Sequence, residues 1–219
     1  VSKKEIKTTS EIAKQRKAII LHAAEKAFAQ NGFKGTSIQK VAELANLPKT
    51  NVLYYFKSKI VLYSTLVQDI LHKWNSSFDG VTIADEPNVA LANYIAEKME
   101  MSRLNPNASK IFGLEILNGA QNFDANFKAK HKAWFDGRVN VIEGWINSGK
   151  MNSIDAEYLL YHIWASTQHY ADFSAQIKDL RGSTMKKKDF AEATNTVISL
   201  ILTGCGLEIP KQYLDTIND

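Results

Sequence analysis

The chain has 219 residues, 45% apolar and 23% charged, which is enough apolar side chain for one large core or two smaller ones and excludes disordered, collagen-like and low-complexity classes. Its longest apolar stretch, Val197 to Leu207, is interrupted by Ser199, Thr203 and two glycines; it falls short of the roughly 18 to 20 residues of a spanning helix, so no membrane span is expected. The formal charge of +4 divides unevenly, with 12 Lys/Arg against 4 Asp/Glu in residues 1–60 and 15 against 19 in residues 61–219. One end of the chain is built to meet a polyanion and the remainder is mildly acidic.

The opening Val1-Ser2-Lys3-Lys4-Glu5 is charged and lacks the apolar run of a secretory leader. The lone Cys205 has no partner for an internal disulfide. Both fit a reducing, cytoplasmic setting. Prolines number four and glycines eleven, and apolar residues recur at three- and four-residue spacing without sustained alternation, so an all-α protein of about nine helices is expected.

In chain order, Ile12, Ile19, Ile20, Ala23, Ala27 and Phe28 form the apolar stripe of a first helix over about residues 9–30, which Asn31-Gly32 ends through a left-handed residue. Thr36-Ser37-Ile38-Gln39 has capping-box spacing ahead of a short second helix, which Asn46-Leu47-Pro48 closes. A third short helix runs from about Pro48 to Tyr55, with Val52, Leu53 and Phe56 on one face. Ser58 caps a long fourth helix to about Phe78. Further helices are expected over about 87–104, 107–119, 122–148, 155–180 and 189–203.

Two helices of about eight residues joined by a tight turn and backed by a longer one have the form of a helix-turn-helix. With Val52, Leu53 and Phe56 turned inward, the third helix presents Thr50, Asn51, Tyr54 and Tyr55, with Lys49 at its start. Asn pairs bidentately with adenine, Thr meets a thymine methyl or a phosphate, and Lys reaches guanine or the backbone. Thr36 and Ser37 sit at a helix N-terminus, where free amides favour a phosphate, and Lys59 is placed likewise. For Thr36 the competing reading is a cap alone, and for the two tyrosines it is core packing. Lys3, Lys4 and Lys7 lie in an arm without apolar pattern, expected to add phosphate attraction without reading sequence.

Phe28-Ala29-Gln30-Asn31-Gly32-Phe33-Lys34-Gly35-Thr36-Ser37-Ile38, Val41-Ala42-Glu43-Leu44-Ala45 and Lys49-Thr50-Asn51-Val52-Leu53-Tyr54-Tyr55-Phe56-Lys57-Ser58-Lys59 resemble the DNA-binding domain of the TetR family. Asn46 and Pro48 stand where Gly and Ser are common in it. The resemblance implies a homodimeric regulator, with no enzymatic activity. Residues 1–58 would form the DNA-binding domain with its basic arm, for a palindromic double-stranded operator. Residues 59–219 would form the effector-binding and dimerisation domain. The segments Ser102 to Ala120, Ser148-Gly149-Lys150 and Trp164 to Phe173 resemble a pyrimidine-responsive branch of the family. That branch implies uracil or thymine as effector, release of DNA on binding, and control of pyrimidine and nitrogen metabolism, with no cofactor.

Independently of the resemblance, Trp164, Gln168 and Asp172 stand at i, i+4 and i+8 on one stripe of an otherwise apolar, aromatic helix. An indole face stacks on a planar ring, a Gln amide matches part of an imide edge, and a carboxylate accepts a ring N–H. A place at a dimer interface or on the surface is the competing reading for Gln168 and Asp172. Trp74, on the fourth helix, is the candidate for coupling the two domains. Lys98 and Arg103, which follow Tyr94 and Ile95 on the fifth helix, are alternatives for serving a polar effector, with a solvated surface position the expected reading. A TetR-type regulator of an apolar effector, such as a drug or acyl chain, is the alternative in the same class. A helical metal-binding protein or enzyme using His162, His169 and Asp172 is the alternative in another.

Overall fold

The computed structural model describes residues 9–214 as ten α-helices and a short 3-10 turn, with no strand among the described residues. The all-α class expected from the spacing holds. The arm with Lys3, Lys4 and Lys7 lies outside the described residues.

The chain divides into two compact units. The first holds α1 (Thr9–Gly35), α2 (Ile38–Leu44), α3 (Lys49–Phe56), α4 (Lys59–Asp79) as far as Ile70, and residues Ile111–Asn122, which include the end of α6 (Pro106–Leu117). Ile20, Ala24, Ala27 and Phe28 of α1 are buried with Val41 and Ala42 of α2 and Val52 and Phe56 of α3. Small residues on α1 let the two short helices pack close. Ile12 and Ile19, expected on the same stripe, are exposed; the buried face is set by the 20-23-24-27-28 spacing, and neither fits it.

Compactness places the division inside α4. The cause is the first half of α4, which contributes buried Leu62, Tyr63 and Leu66 to the first unit. The Tyr63 ring lies edge-on to Phe28 at 4.9 Å and to Phe33 at 5.0 Å.

The second unit, Leu71–Lys110 and Phe123 onward, contains the rest of α4, α5 (Pro87–Leu104), the start of α6, α7 (Ala125–Asn147), α8 (Ala156–Asp172), α9 (Ser174–Arg181) and α10 (Lys187–Gly204). α5 is its central helix. Buried Ala90, Leu91, Ala92, Tyr94, Ile95 and Met99 cover more than one side of it, as a helix packed all round requires. Phe78, Trp145, Leu160, Ile198 and Leu202 complete the core, and Phe78 stacks on Tyr94 at 4.7 Å. Cys205 is buried there as a small core residue, and burial pushes its thiol up to about 11. The single helix expected over 155–180 is two, because the chain leaves helical geometry at Phe173 (φ −106°, ψ 23°) before α9. No proline or glycine marks that break.

Candidate functional site

Gly32 has φ 64° and ψ 179°, so α1 breaks at the expected Asn31-Gly32 exit before one last turn. The break frees carbonyls, and polar side chains take them up. The Thr36 hydroxyl, 2% exposed, donates to Gly32 O at 2.8 Å and to Ala27 O at 3.0 Å. Lys59 Nζ donates to Phe33 O at 2.9 Å and Thr36 O at 3.0 Å, with its ammonium 4.4 Å from the Phe33 ring centroid.

Two of the expected DNA-contact side chains are therefore drawn inward. Thr36 is neither the helix cap nor a surface hydroxyl, and Lys59 has two of its three donors engaged. The cap of α2 is Ser37, exposed, whose Oγ accepts from Lys40 N at 3.1 Å. Gln39 reaches Glu43 at 3.1 Å and does not close the expected capping box.

Asn46 supplies the α2–α3 turn with φ 52°. That conformation favours Gly or Asn, which accounts for Asn where Gly is common. α3 then runs eight residues, about 12 Å at 1.5 Å per residue, which matches the width of a major groove. Val52 and Phe56 anchor one face. On the open side Lys49 and Thr50 are exposed, Asn51 and Tyr55 half-buried, and Tyr54 is 79% exposed. The two tyrosines meet edge-to-face at 5.1 Å, so each ring limits the rotamers of the other. The side chains expected to read a groove thus stand on the side of α3 away from Val52 and Phe56, exposed or half-buried.

In the second unit the expected effector residues cluster around one that was expected to be solvated. Lys98 is 4% exposed. Its ammonium lies 4.8 Å from the Trp74 ring and 5.7 Å from the Tyr94 ring, and burial pushes it down to about 7, opposed by the charge of Asp172. Oδ1 of Asp172 is buried without a hydrogen-bond partner among the described residues. An amine poised between charge states beside an unsatisfied carboxylate oxygen is a polar pair able to serve a small polar ligand.

Trp164 is more firmly built in than its spacing suggested. Its Nε1 donates to the Tyr94 hydroxyl at 2.8 Å, and its ring packs with His131, Trp134 and Phe135 of α7 at 5.7 to 6.4 Å. It is a wall with a committed donor. Gln168 stands half-buried between Trp164 and Asp172 on α8. Lys98 and Tyr94 were the missed members, and a signal existed: Leu91, Ile95, Lys98 and Ser102 follow one helical stripe, so a lysine on it points inward. His162 Nδ1 meets Tyr158 O at 2.7 Å, while His169 stacks on Phe173 at 4.8 Å. No group of three metal-ligating side chains occurs among the described residues. No helix there is long and apolar enough to cross a membrane.

Two clefts have other linings. One of about 390 Å³ in the first unit is bordered by Phe33, Tyr63 and Glu115, and one of about 440 Å³ in the second by Ser102, Tyr170 and Lys186.

Comparison with known proteins agrees with this division. Residues 20–65 match "Bacterial regulatory proteins, tetR family", and residues 67–208 match "YcdC-like protein, C-terminal region". The chain is 39% identical over 203 residues to the HTH-type transcriptional regulator RutR of Escherichia coli K12, covering 91% of this chain and 96% of that one. The ketosteroid transcriptional regulator KstR2 of Mycobacterium tuberculosis has a similar fold (TM-score 0.64, 16% identity, 86% and 94% coverage). So does the hemolysin II transcriptional regulator HlyIIR (TM-score 0.57, 19% identity, 86% and 97% coverage). A helix-turn-helix with an open recognition face, a helical effector unit and a relative matched along nearly the whole chain place it in the TetR family of bacterial transcription regulators, with a YcdC-like C-terminal region.

Proposed function

We propose that this regulator is a repressor that holds a palindromic operator as a homodimer and releases it on binding uracil or thymine, controlling pyrimidine and nitrogen metabolism. The observation that carries the reading is buried Lys98 over the Trp74 ring, within reach of the charge of Asp172, whose buried Oδ1 has no hydrogen-bond partner among the described residues, in a chain 39% identical to RutR. A pyrimidine imide edge runs acceptor, donor, acceptor. Lys98 donates to a ring carbonyl, Asp172 Oδ1 accepts the ring N–H, and the Gln168 amide completes the edge. Trp74 supplies an aromatic face from the helix that continues into the DNA-binding unit, and Trp164 closes the wall behind.

Dimerisation falls to α8 and α10, where Tyr158, Tyr161 and Leu200 are exposed apolar side chains, Leu200 at 70%. Paired α3 helices then meet successive major grooves about 34 to 36 Å apart. An effector that prefers a different spacing weakens operator binding by the same factor by which operator weakens effector binding.

Thermal unfolding with uracil, thymine, cytosine or a fatty acid at equal protein concentration tests the reading. A pyrimidine ligand at about 100 times its dissociation constant adds about 2.7 kcal/mol, several degrees for a chain of this size, and Gln168→Ala removes the rise without loss of fold. No rise with uracil or thymine, or a Gln168→Ala protein that still releases operator in uracil, defeats the assignment. A rise with the fatty acid alone transfers it to an apolar effector.

A further inference from the structure

The 440 Å³ cleft of the second unit lies outside the effector pair and has the lining of an anion site. Arg103 of α5, Lys110 of α6 and Lys186 and Lys187 at the start of α10 border it, and no Asp or Glu does. The carboxylates nearest in sequence are engaged. Glu100 holds Arg103 through two bonds of 2.6 and 2.7 Å, while Asp189 pairs with Arg181 and accepts from Lys186 N. Arg103 is thereby offset, and its bond holds the Glu100 carboxyl below the usual range with only a small addition from Lys187; Lys110 and Lys187 are in no ion pair among the described residues. Lys187 also opens α10, whose dipole adds positive potential.

The cleft is also lined by apolar and aromatic side chains. Tyr170 and Phe190 stand 6.2 Å apart at 56°, with Ile177 and Met185 beside them. Ser174 and Thr184 add hydroxyls. Cations and aromatic rings lining one cleft, with a volume in the range of small-molecule pockets, suit a ligand with a flat body and a multiply charged end. We propose that this cleft binds an organic phosphate of mononucleotide size, with its ring against the Tyr170 and Phe190 side chains and its phosphate among Lys110, Lys186 and Lys187.

The site adjoins the effector pair without sharing a lining residue with it. Ser102, which borders the cleft, donates to Thr167 O at 2.8 Å and ties α5 to α8 between the two places. A phosphate ester held there meets the two helices that carry Lys98 and Gln168.

Calorimetric titration of the full chain with adenosine 5′-monophosphate, adenosine and inorganic phosphate, at about 0.15 M salt, decides the matter. The purine base keeps the probe distinct from a pyrimidine effector. The nucleotide binds once per chain, and adenosine and phosphate each bind about tenfold or more weakly. The double variant Lys110→Ala/Lys187→Ala, whose melting temperature checks the fold, loses about tenfold or more. Lys49→Ala on the DNA-reading face and Gln168→Ala in the effector stripe leave the affinity unchanged. Absence of binding at millimolar nucleotide, equal affinity for phosphate alone, or an undiminished double variant overturns the proposal. Because Gln168→Ala governs only the pyrimidine response, either assignment can fail while the other stands.

Discussion

The two units treat an inward-turned lysine in opposite ways, half-buried in one and buried in the other. In the DNA-binding unit Lys59 donates to two main-chain carbonyls and lies over an aromatic ring, so the chain around it is complete. In the effector unit Lys98 is buried against two rings with its charge disfavoured, and a neighbouring carboxylate oxygen has no partner. A structural lysine spends its donors on the backbone. A lysine left short of partners, as Lys98 is, carries a cost in stability that a ligand could recover. Under the proposed function, the first unit would hold the reading face on a satisfied scaffold, and the second would offer a ligand uncompensated polar groups.

The strongest way to break this comparison is to damage the rigid side. Phe28→Ala removes a ring that is 1% exposed and touches both Phe33 and Tyr63, and it should lower stability by about 3 to 5 kcal/mol in chemical unfolding. A loss under about 1 kcal/mol would mean that the first unit is loosely packed. The same operation on the other side should run in reverse. Lys98→Met removes a charge whose burial costs the folded state on the order of 4 kcal/mol at neutral pH, so the variant should melt higher while losing its response to uracil.

The sign follows from proton counting. Between about pH 7 and about pH 10.5 the unfolded chain keeps a proton at residue 98 that the folded chain releases, so wild-type stability should rise with pH across that window, and Lys98→Met should flatten the rise. Below about 7 both states are protonated and this contribution is flat. A variant less stable than wild type at neutral pH would show that Lys98 is satisfied in the fold.

Legibility in the sequence followed the same divide. The short helices, the Gly32 exit, the Asn46 turn and the open face of α3 were readable because local rules decide them: apolar spacing, φ above zero, and a helix too short to bury both sides. Thr36 was misplaced by one residue because capping spacing cannot tell a hydroxyl facing the new helix from one facing the end of the previous one. Lys98 was misread because residue type was weighed above its stripe. The break at Phe173 and the cationic cleft beside it had no local signature; the cleft's residues are brought together from α5, α6, α8, α9, the connection after it and the start of α10 by packing alone.

Smaller effects sharpen the picture of the reading face. Tyr54→Ala should weaken operator binding by roughly 1 to 3 kcal/mol at one contacted position with little change in melting, because the ring is almost wholly outside the core. Asn51→Ala should act likewise. A change in melting with no change in binding would return either residue to packing.

The smallest separates two adjacent residues that local spacing treats as equivalent. Ser37→Ala deletes the cap on Lys40 N and should cost about 1 kcal/mol of stability, while also removing an exposed hydroxyl from a helix N-terminus suited to phosphate. Thr36→Val keeps the volume but strips the two carbonyls of their shared donor, a loss of about 1 to 3 kcal/mol. Operator titrations at two salt concentrations, on protein verified as folded, then discriminate between them. Loss of a phosphate contact at Ser37 lowers affinity across all operator sequences, whereas Thr36→Val leaves the affinity of the folded fraction intact. If Thr36→Val weakens binding and Ser37→Ala does not, the inward-facing hydroxyl sets the approach of α2 to DNA through the position of the chain between Gly32 and Ser37.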